Sequence, residues 1–325
     1  MEPLRVVVLA GGVGGARFVR GLRAHLRSLD GPSADVTVVA NTGDDVWLAG
    51  LRVTPDLDSL LYTLAGVNDE TRGWGRAEET ERVAGELAAF GVGWPWFTLG
   101  DLDLGTCVAR TSMLRDGLPL SAAVQRLAAR WPIGVRLLPA TDDEVETHVL
   151  TDEGELHFEE WWVRTRAALP ARAFVQPGVE AARPAPGVVE AIRDADVVLL
   201  APSNPVVSIG TILTIPGIRE ALAATPAPVV GLSPVIGGSV VRGMADACLT
   251  AIGVATDAGA IAQHYGPRSA GGVLDGWLVD EVDAAALPAL AAAGIRAGAV
   301  PLWMTDDMAT AAMAAAALRL AREPR

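Results

Sequence analysis

Lysine is absent from all 325 residues, so every one of the 26 basic side chains is arginine. That excludes a Schiff-base enzyme and a Walker-type phosphate loop, both of which need the amine. Cysteine is scarce: Cys107 and Cys248 stand far apart, with no CxxC and no zinc spacing, which predicts a reducing, cytoplasmic setting. There is no GxSxG elbow to start a hydrolase triad, and the four histidines form no HExxH. No apolar run approaches the ~20 residues of a membrane helix. The longest candidate, 227–241, is broken by Pro228, Pro234 and the pair Gly237-Gly238. The opening MEPLRVVVLAGG turns into glycine too soon for a secretory leader and is expected to be a strand and a turn. Positive charge is in deficit: 39 acidic residues against 26 basic give a net charge of −13. Such a surface repels phosphodiester backbones and anionic lipid, so neither nucleic acid nor membrane is an expected partner.

What is present suits a large core. Half the residues are hydrophobic and a fifth charged. Short β-branched runs at 6–10, 35–40, 196–201 and 228–232 read as strands buried on both faces. Between the first two lie Gly11-Gly12-Val13-Gly14-Gly15 and an amphipathic helix over 16–28. This strand–glycine loop–helix–strand unit opens a Rossmann-like, doubly wound α/β domain with a mostly parallel sheet. Helices are expected over 57–65, 77–90, 102–115 and 121–130, the last capped by Ser121 and the second stopped by Gly91. A hairpin is expected at 145–150 and 155–158, a last strand near 299–303 and an alanine-rich closing helix. The expected organisation is an α/β nucleotide-binding core from 1–55 and 186–325, with 56–185 inserted as a largely helical, hairpin-bearing cap on the acceptor side.

Ligands of parallel α/β sheets bind beyond the carboxyl ends of the strands. Four expected strands end there in polar or glycine turns: 11–15, 41–45, 203–205 and 233–238. Any one alone reads equally as a β-to-α turn. The glycine loop offers backbone N–H groups at a helix start, which favours an anion. It is not the dinucleotide fingerprint, because Arg17 stands where the third glycine belongs and Asn41 where a ribose-binding acid belongs. An NAD oxidoreductase is therefore disfavoured. Arg17 either meets a phosphate or is a solvated helix residue.

Carboxylates recur in pairs: Asp44-Asp45, Asp56 with Asp58, Asp101 with Asp103, Asp142-Asp143, Asp194 with Asp196 and Asp306-Asp307. Phosphoryl chemistry without lysine needs positive charge from elsewhere, and Mg²⁺ held by carboxylates is the usual supply. Asp306-Asp307, Asp194 and Asp142-Asp143 read as caps and turns, a reading open to Asp56 and Asp58 as well. Trp74, Trp94 and Trp96 sit in glycine- and proline-punctuated loops, where they either stack on a heterocycle or pack beneath a cap.

The ordered set of 10–17, 41–45, Pro55-Asp-Leu-Asp58, Leu99-Gly-Asp101, Pro202-Ser-Asn-Pro205 and 233–237 resembles the 2-phospho-L-lactate transferase family of coenzyme F420 biosynthesis, over nearly the whole chain. The arginine- and alanine-rich composition resembles its actinobacterial, phosphoenolpyruvate-using branch. The resemblance implies a Mg²⁺-dependent, homodimeric transferase. A guanosine diphosphate-linked donor carries an enolpyruvyl or lactyl phosphate. The ribityl alcohol of the deazaflavin Fo attacks its phosphorus and GMP leaves, giving (dehydro) coenzyme F420-0. By that similarity Gly11, Gly12, Gly14, Gly15, Asn41, Ser203 and Asn204 hold the donor nucleotide. Asp58, Thr98 and Asp101 meet Fo, with Asp58 as candidate proton acceptor, and Asp44, Asp45 and Asp56 are the metal candidates. Val13 replaces a threonine common in the family, Arg17 a lysine, and Thr98 a lysine of some relatives. The competing reading is a non-catalytic, nucleotide-sugar-binding regulator of carbon flux, which would have no use for Asp58 or Asp101.

Overall fold

The computed structural model describes residues 3–29 and 34–323. Seven strands form the central sheet: β1 (Arg5–Ala10), β2 (Asp35–Ala40), β3 (Arg136–Pro139), β4 (Val197–Leu200), β5 (Val229–Leu232), β6 (Gly276–Val279) and β7 (Arg296–Ala299). Their order is 3-2-1-4-5-6-7 and every pairing is parallel, with Val8 opposite both Val38 and Leu199. All carboxyl ends therefore lie along one edge. The order reverses between β1 and β4, the point at which a doubly wound sheet opens its binding crevice.

Alternation along β1 divides the core in two. Val6, Val8 and Ala10 face one layer, packed against α1 (Gly12–Ser28), α2 (Pro55–Ala65) and the alanine-rich α4 (Asp307–Arg322). Val7 and Leu9 face the other, covered by short helices that include Val188–Asp194, Ile209–Thr214, Ile218–Ala224 and Ala258–Tyr265. Both faces are sealed, which is why the strands carry unbroken apolar runs.

Several boundaries differ from expectation, each for a local reason. α1 begins at Gly12, not after Gly15, because Gly12 takes φ +63° and lets the helix start directly from the end of β1. The helix expected over 77–90 is confined to Arg82–Ala89, and Gly91 follows it at φ +69°. Residues ahead of it instead cap α3 (Asp101–Arg115): Glu79 accepts from the backbone N–H groups of Leu102 and Asp103 at 3.1 and 3.0 Å. Ser121 does not cap its helix, Leu120–Ala128; its N–H and hydroxyl both donate to Asp142. The last strand ends at Ala299, since Pro301 has no N–H to offer and that of Leu302 is drawn to Asp280 Oδ2 at 2.8 Å.

Several short elements went unforeseen, two of which shape the site. A small hairpin pairs Val46–Leu48 with Leu51–Val53, its strands too short for a periodic signal. The other is β3, which joins the sheet edge beside β2. The stretch 56–185 is thus not one insertion: α2 packs on α1, and helix Leu120–Ala128 packs on β3. What lies outside the sheet layers is Arg82–Ala89, α3 and a three-stranded antiparallel sheet of His148–Thr151, Gly154–His157 and Ala173–Val175.

α1 and α4 meet most closely at Gly21, where a Cβ would lie 2.6 Å from Thr310 Cβ. Gly21→Val is expected to force the helices apart and cost roughly 1–3 kcal/mol of overpacking, outweighing the better helix propensity. Urea denaturation measures it; an unchanged midpoint would contradict the packing described.

Candidate active-site cleft

The cleft opens at the order reversal and has a volume of about 250 Å³. Its floor is the junction of two strand ends. The N–H of Gly11 donates to Ser203 Oγ at 3.0 Å, and that hydroxyl donates to the Gly11 carbonyl at 2.7 Å. Side chains on the glycines would not fit: a Cβ at Gly15 would sit 2.6 Å from Ser203 Oγ, and one at Gly14 would sit 3.0 Å from the Pro202 carbonyl. The amino end of α1 is thereby laid against the 202–204 turn. Asn204 folds that turn, its Oδ1 accepting from Val206 and Val207. Gly11, Gly12, Gly14, Ser203 and Asn204 line the cleft; Gly15 lies below it as packing.

One wall is acidic. Asp44 follows β2, Asp56 stands in the first turn of α2 behind Pro55, and Glu159 follows the 148–157 hairpin; all three line the cleft yet are buried. Asn41 sits behind them. Its Nδ2 donates to Asp44 Oδ1 at 3.1 Å and to Asp56 Oδ2 at 2.9 Å, while its Oδ1 accepts from the Gly43 N–H. Burial raises Asp56 to about 6 against the help of Asn41 and the Gly12 N–H. Burial first, then the charges of Asp56 and Asp45, lift Glu159 to about 8. Asp44 is held well above the usual carboxylate range by burial and then by the charges of Asp56, Glu159 and Asp45, against the Asn41 hydrogen bond. The nearby cations are committed elsewhere: Arg52 to Asp45 and Glu146, Arg110 to Asp58. Asp44 and Asp56, joined through one amide, and Glu159 on the same cleft are oxygen donors of the kind a hard divalent ion such as Mg²⁺ takes, although the three are not drawn within 4.8 Å of one another. Glu159 escaped sequence reasoning, which followed aspartate pairs; its signal was the Glu159-Glu160 pair between Phe158 and Trp161.

The expected sites are only partly gathered here. Asp45 is turned away from the cleft and buried toward Arg52, 3.6 Å distant, with neither oxygen hydrogen-bonded. Adjacent residues of a turn point to opposite sides, so Asp44 and Asp45 part company. Asp58 also lies outside the cleft lining. Its carboxylate is ion-paired to the buried Arg110 and takes a 3.4 Å hydrogen bond from Thr54, yet burial outweighs both and raises its pKa above the usual carboxylate value. Asp101 caps locally, accepting from Thr80 at 2.5 Å and from the Val83 N–H. Its neighbour Asp103 turns inward instead, accepting from Tyr62 at 2.7 Å beside Asp58. Thr98 lines a separate hollow of about 60 Å³ with Trp94, Phe97 and Leu104. Trp94 and Trp96 stack on each other, centroids 4.6 Å apart, so their facing surfaces are already used.

Comparison with known proteins identifies the family. The family model for 2-phospho-L-lactate transferase CofD matches residues 6–310. A phosphoenolpyruvate transferase of Streptomyces griseus is 58% identical, over 99% of this chain and 100% of its own. Its counterpart in Thermobifida fusca is 56% identical, over 98% of both chains. A solved structure of a UPF0052-family protein from Bacillus halodurans superimposes with a TM-score of 0.64, over 98% of this chain and 99% of that one, at 19% identity, and so shares the fold.

The crowded carboxylates make the metal-free protein sensitive to pH. Below about pH 4.5, the ordinary value for Glu159, the carboxyl is protonated both folded and unfolded and contributes nothing. From there to about 8 the unfolded chain ionises while the folded one keeps its proton, so stability falls as pH rises. Glu159→Gln is expected to flatten that fall and raise the melting temperature at pH 8 in the presence of a chelator. A variant that melts like the parent across pH 5–8 would remove Glu159 from the cluster.

Proposed function

This chain belongs to the 2-phospho-L-lactate transferase CofD family, and from that premise we propose that it transfers an enolpyruvyl phosphate from a guanosine diphosphate-linked donor to the deazaflavin Fo, releasing GMP. The observation that carries the reading is the meeting, in one cleft, of the glycine turn, the Ser203-Asn204 turn and the Asp44–Asp56–Glu159 wall. The names of the Streptomyces and Thermobifida relatives favour phosphoenolpyruvate over phospholactate as source of the acid.

In-line displacement at phosphorus leaves the protein mainly positioning and charge stabilisation. The start of α1 lines the cleft, where the helix dipole and the N–H groups beyond Gly12 would favour the donor diphosphate, those of Gly11 and Gly12 being held by Ser203 and Asp56. The Ser203–Gly11 hydrogen bonds fix the separation of the two turns that grip it. Asn41 holds Asp44 and Asp56 side by side, and Glu159 closes the set from the hairpin side. Bound there, Mg²⁺ supplies the positive charge that a lysine-free site lacks. The Fo alcohol then bonds to phosphorus as the bond to GMP breaks, its proton leaving to solvent. Asp58, locked to Arg110, keeps the wall of α2 and α3 in place instead of taking the proton. A cytoplasmic homodimer is the state expected by family likeness. Among the described residues no helix is long and apolar enough to cross a membrane.

The purified protein, given donor, Fo and Mg²⁺, is expected to release GMP in step with consumption of Fo, and a chelator should stop it. Asp56→Asn should lower turnover by about a hundredfold or more, the order of losing a group that stabilises transition-state charge. Fo fluorescence should respond to the protein. No response to Fo, with nucleotide still bound, would favour the non-catalytic regulator.

A further inference from the structure

We propose that Arg242 and Arg17 together form the subsite for the carboxylate of the donor's three-carbon acid; this rests on the transfer reaction proposed above. Such a donor brings two kinds of anion into the cleft, the phosphates and that carboxylate. The glycine turn and the acidic wall provide for the phosphates, directly or through a divalent ion. The same wall, with Asp44, Asp56 and Glu159 in it, repels a free carboxylate. Arg242 is the single basic side chain among the residues lining the cleft. It stands on the rim, just after the short strand Ser239–Val240, with its guanidinium against the backbone of Gly73; a side chain at Gly73 would collide with it. Its one hydrogen bond is to a neutral acceptor, the Arg72 carbonyl at 3.4 Å.

Arg17 comes from the second turn of α1 and lines an adjoining open depression; Met304 borders both spaces. The two arginines sense each other: burial, and after it the charge of Arg17, lowers the pKa of Arg242. Arg17 shares its depression with Glu70, Asp306 and Asp307, and its charge helps to lower the pKa of Glu70. The acids nearest Arg17 are taken by Arg20, which reaches Glu70 at 2.5 Å and Asp307 at 2.8 Å. Among the described residues neither Arg17 nor Arg242 has an acidic partner within ion-pair distance. Two guanidinium groups without an acid partner, bordering adjoining spaces that meet at Met304, suit a shared anion, and the planar fork matches a carboxylate in two-point contact. The donor would then lie with its diphosphate on the glycine turn and its acid toward the rim. This deepens the open alternative for Arg17: its partner is the acid of the ligand, shared with Arg242.

The test compares Arg242→Ala, Arg242→Lys and Arg17→Ala with the parent, after thermal melting shows each is folded. The KM for the donor should rise at least roughly tenfold in Arg242→Ala, the order of one lost charge-assisted hydrogen bond. Arg242→Lys should recover only part of it, and the affinity for GDP by calorimetry should stay within about twofold of the parent, since uncontacted groups rarely matter more. Equal losses for donor and GDP would overturn the proposal by placing Arg242 on the diphosphate; no loss for either would overturn it outright. A second arm stands apart from turnover. Phosphoenolpyruvate and inorganic phosphate are titrated into the protein with GMP and Mg²⁺. Weaker binding of phosphoenolpyruvate alone in Arg242→Ala supports the subsite, and equal weakening of both probes overturns it. Should the parent fail to transfer at all, the proposed function falls while this arm still reads the two arginines.

Discussion

Placing three carboxylates side by side in a buried wall is the constraint around which the active end of this molecule is arranged. Each charge removed from water costs several kcal/mol, and mutual repulsion adds to it. The protein meets that cost without a cation of its own in the wall. Asn41 lends one amide to two acids, and the Gly12 N–H lends another donor to Asp56. The remainder appears as carboxyls that hold their protons more tightly than usual. A metal-binding wall is most useful when it is poorly neutralised from within, because the unspent attraction is then available to a bound ion.

The sheet makes that wall possible. Strand order 3-2-1-4 sends the chains after β1 and β4 to opposite faces, so their ends part and leave a gap. Ser203 bridges it with two hydrogen bonds to Gly11, setting its width to little more than a backbone. α2 returns to the same edge and presents Asp56 from its first turn, where the helix dipole tolerates an acid. Glycine is required at 11 because a Cβ would collide with the Asp56 and Ser208 side chains, at 15 because it would collide with Ser203 Oγ, and at 14 because it would press on the Pro202 carbonyl.

Legibility in the sequence followed the range of the interactions involved. Buried parallel strands announce themselves by apolar β-branched runs, and the turns that follow them mark the ligand edge, which groups Gly11, Asn41, Asp44, Ser203 and Asn204, while their roles and that of Asp56 come from the family resemblance. Orientation within a turn was hidden: nothing in Asp44-Asp45 says which carboxylate faces the cleft, since Arg52 decides it from the hairpin Val46–Val53 that local pattern could not show. Glu159 and Arg242 were hidden for another reason. Each rides on a segment carried to the cleft by tertiary packing alone, Glu159 beside Phe158 stacked on Trp162, and Arg242 against the loop around Gly73. The strand β3 was missed because Arg136–Pro139 is short and lies amid helices.

Behind the cleft, the absence of lysine acquires a structural meaning. Every buried acid outside the acidic wall that finds a cation finds a guanidinium, and the guanidinium is shared. Arg52 joins Asp45 to Glu146; Arg110 joins Asp58 to the Arg52 carbonyl; Arg268 joins Asp275 to the carbonyls of Leu222 and Thr225. A planar fork satisfies several acceptors at once at fixed angles, which an ammonium does with less geometric precision. The first two of these links tie the 46–53 hairpin, α2 and α3 into one support that backs the acidic wall without entering it, while the third lies at the far edge of the sheet. Paired charges behind and unpaired charges in front are thus two halves of one arrangement: the first makes the second rigid enough to remain unneutralised until a ligand arrives.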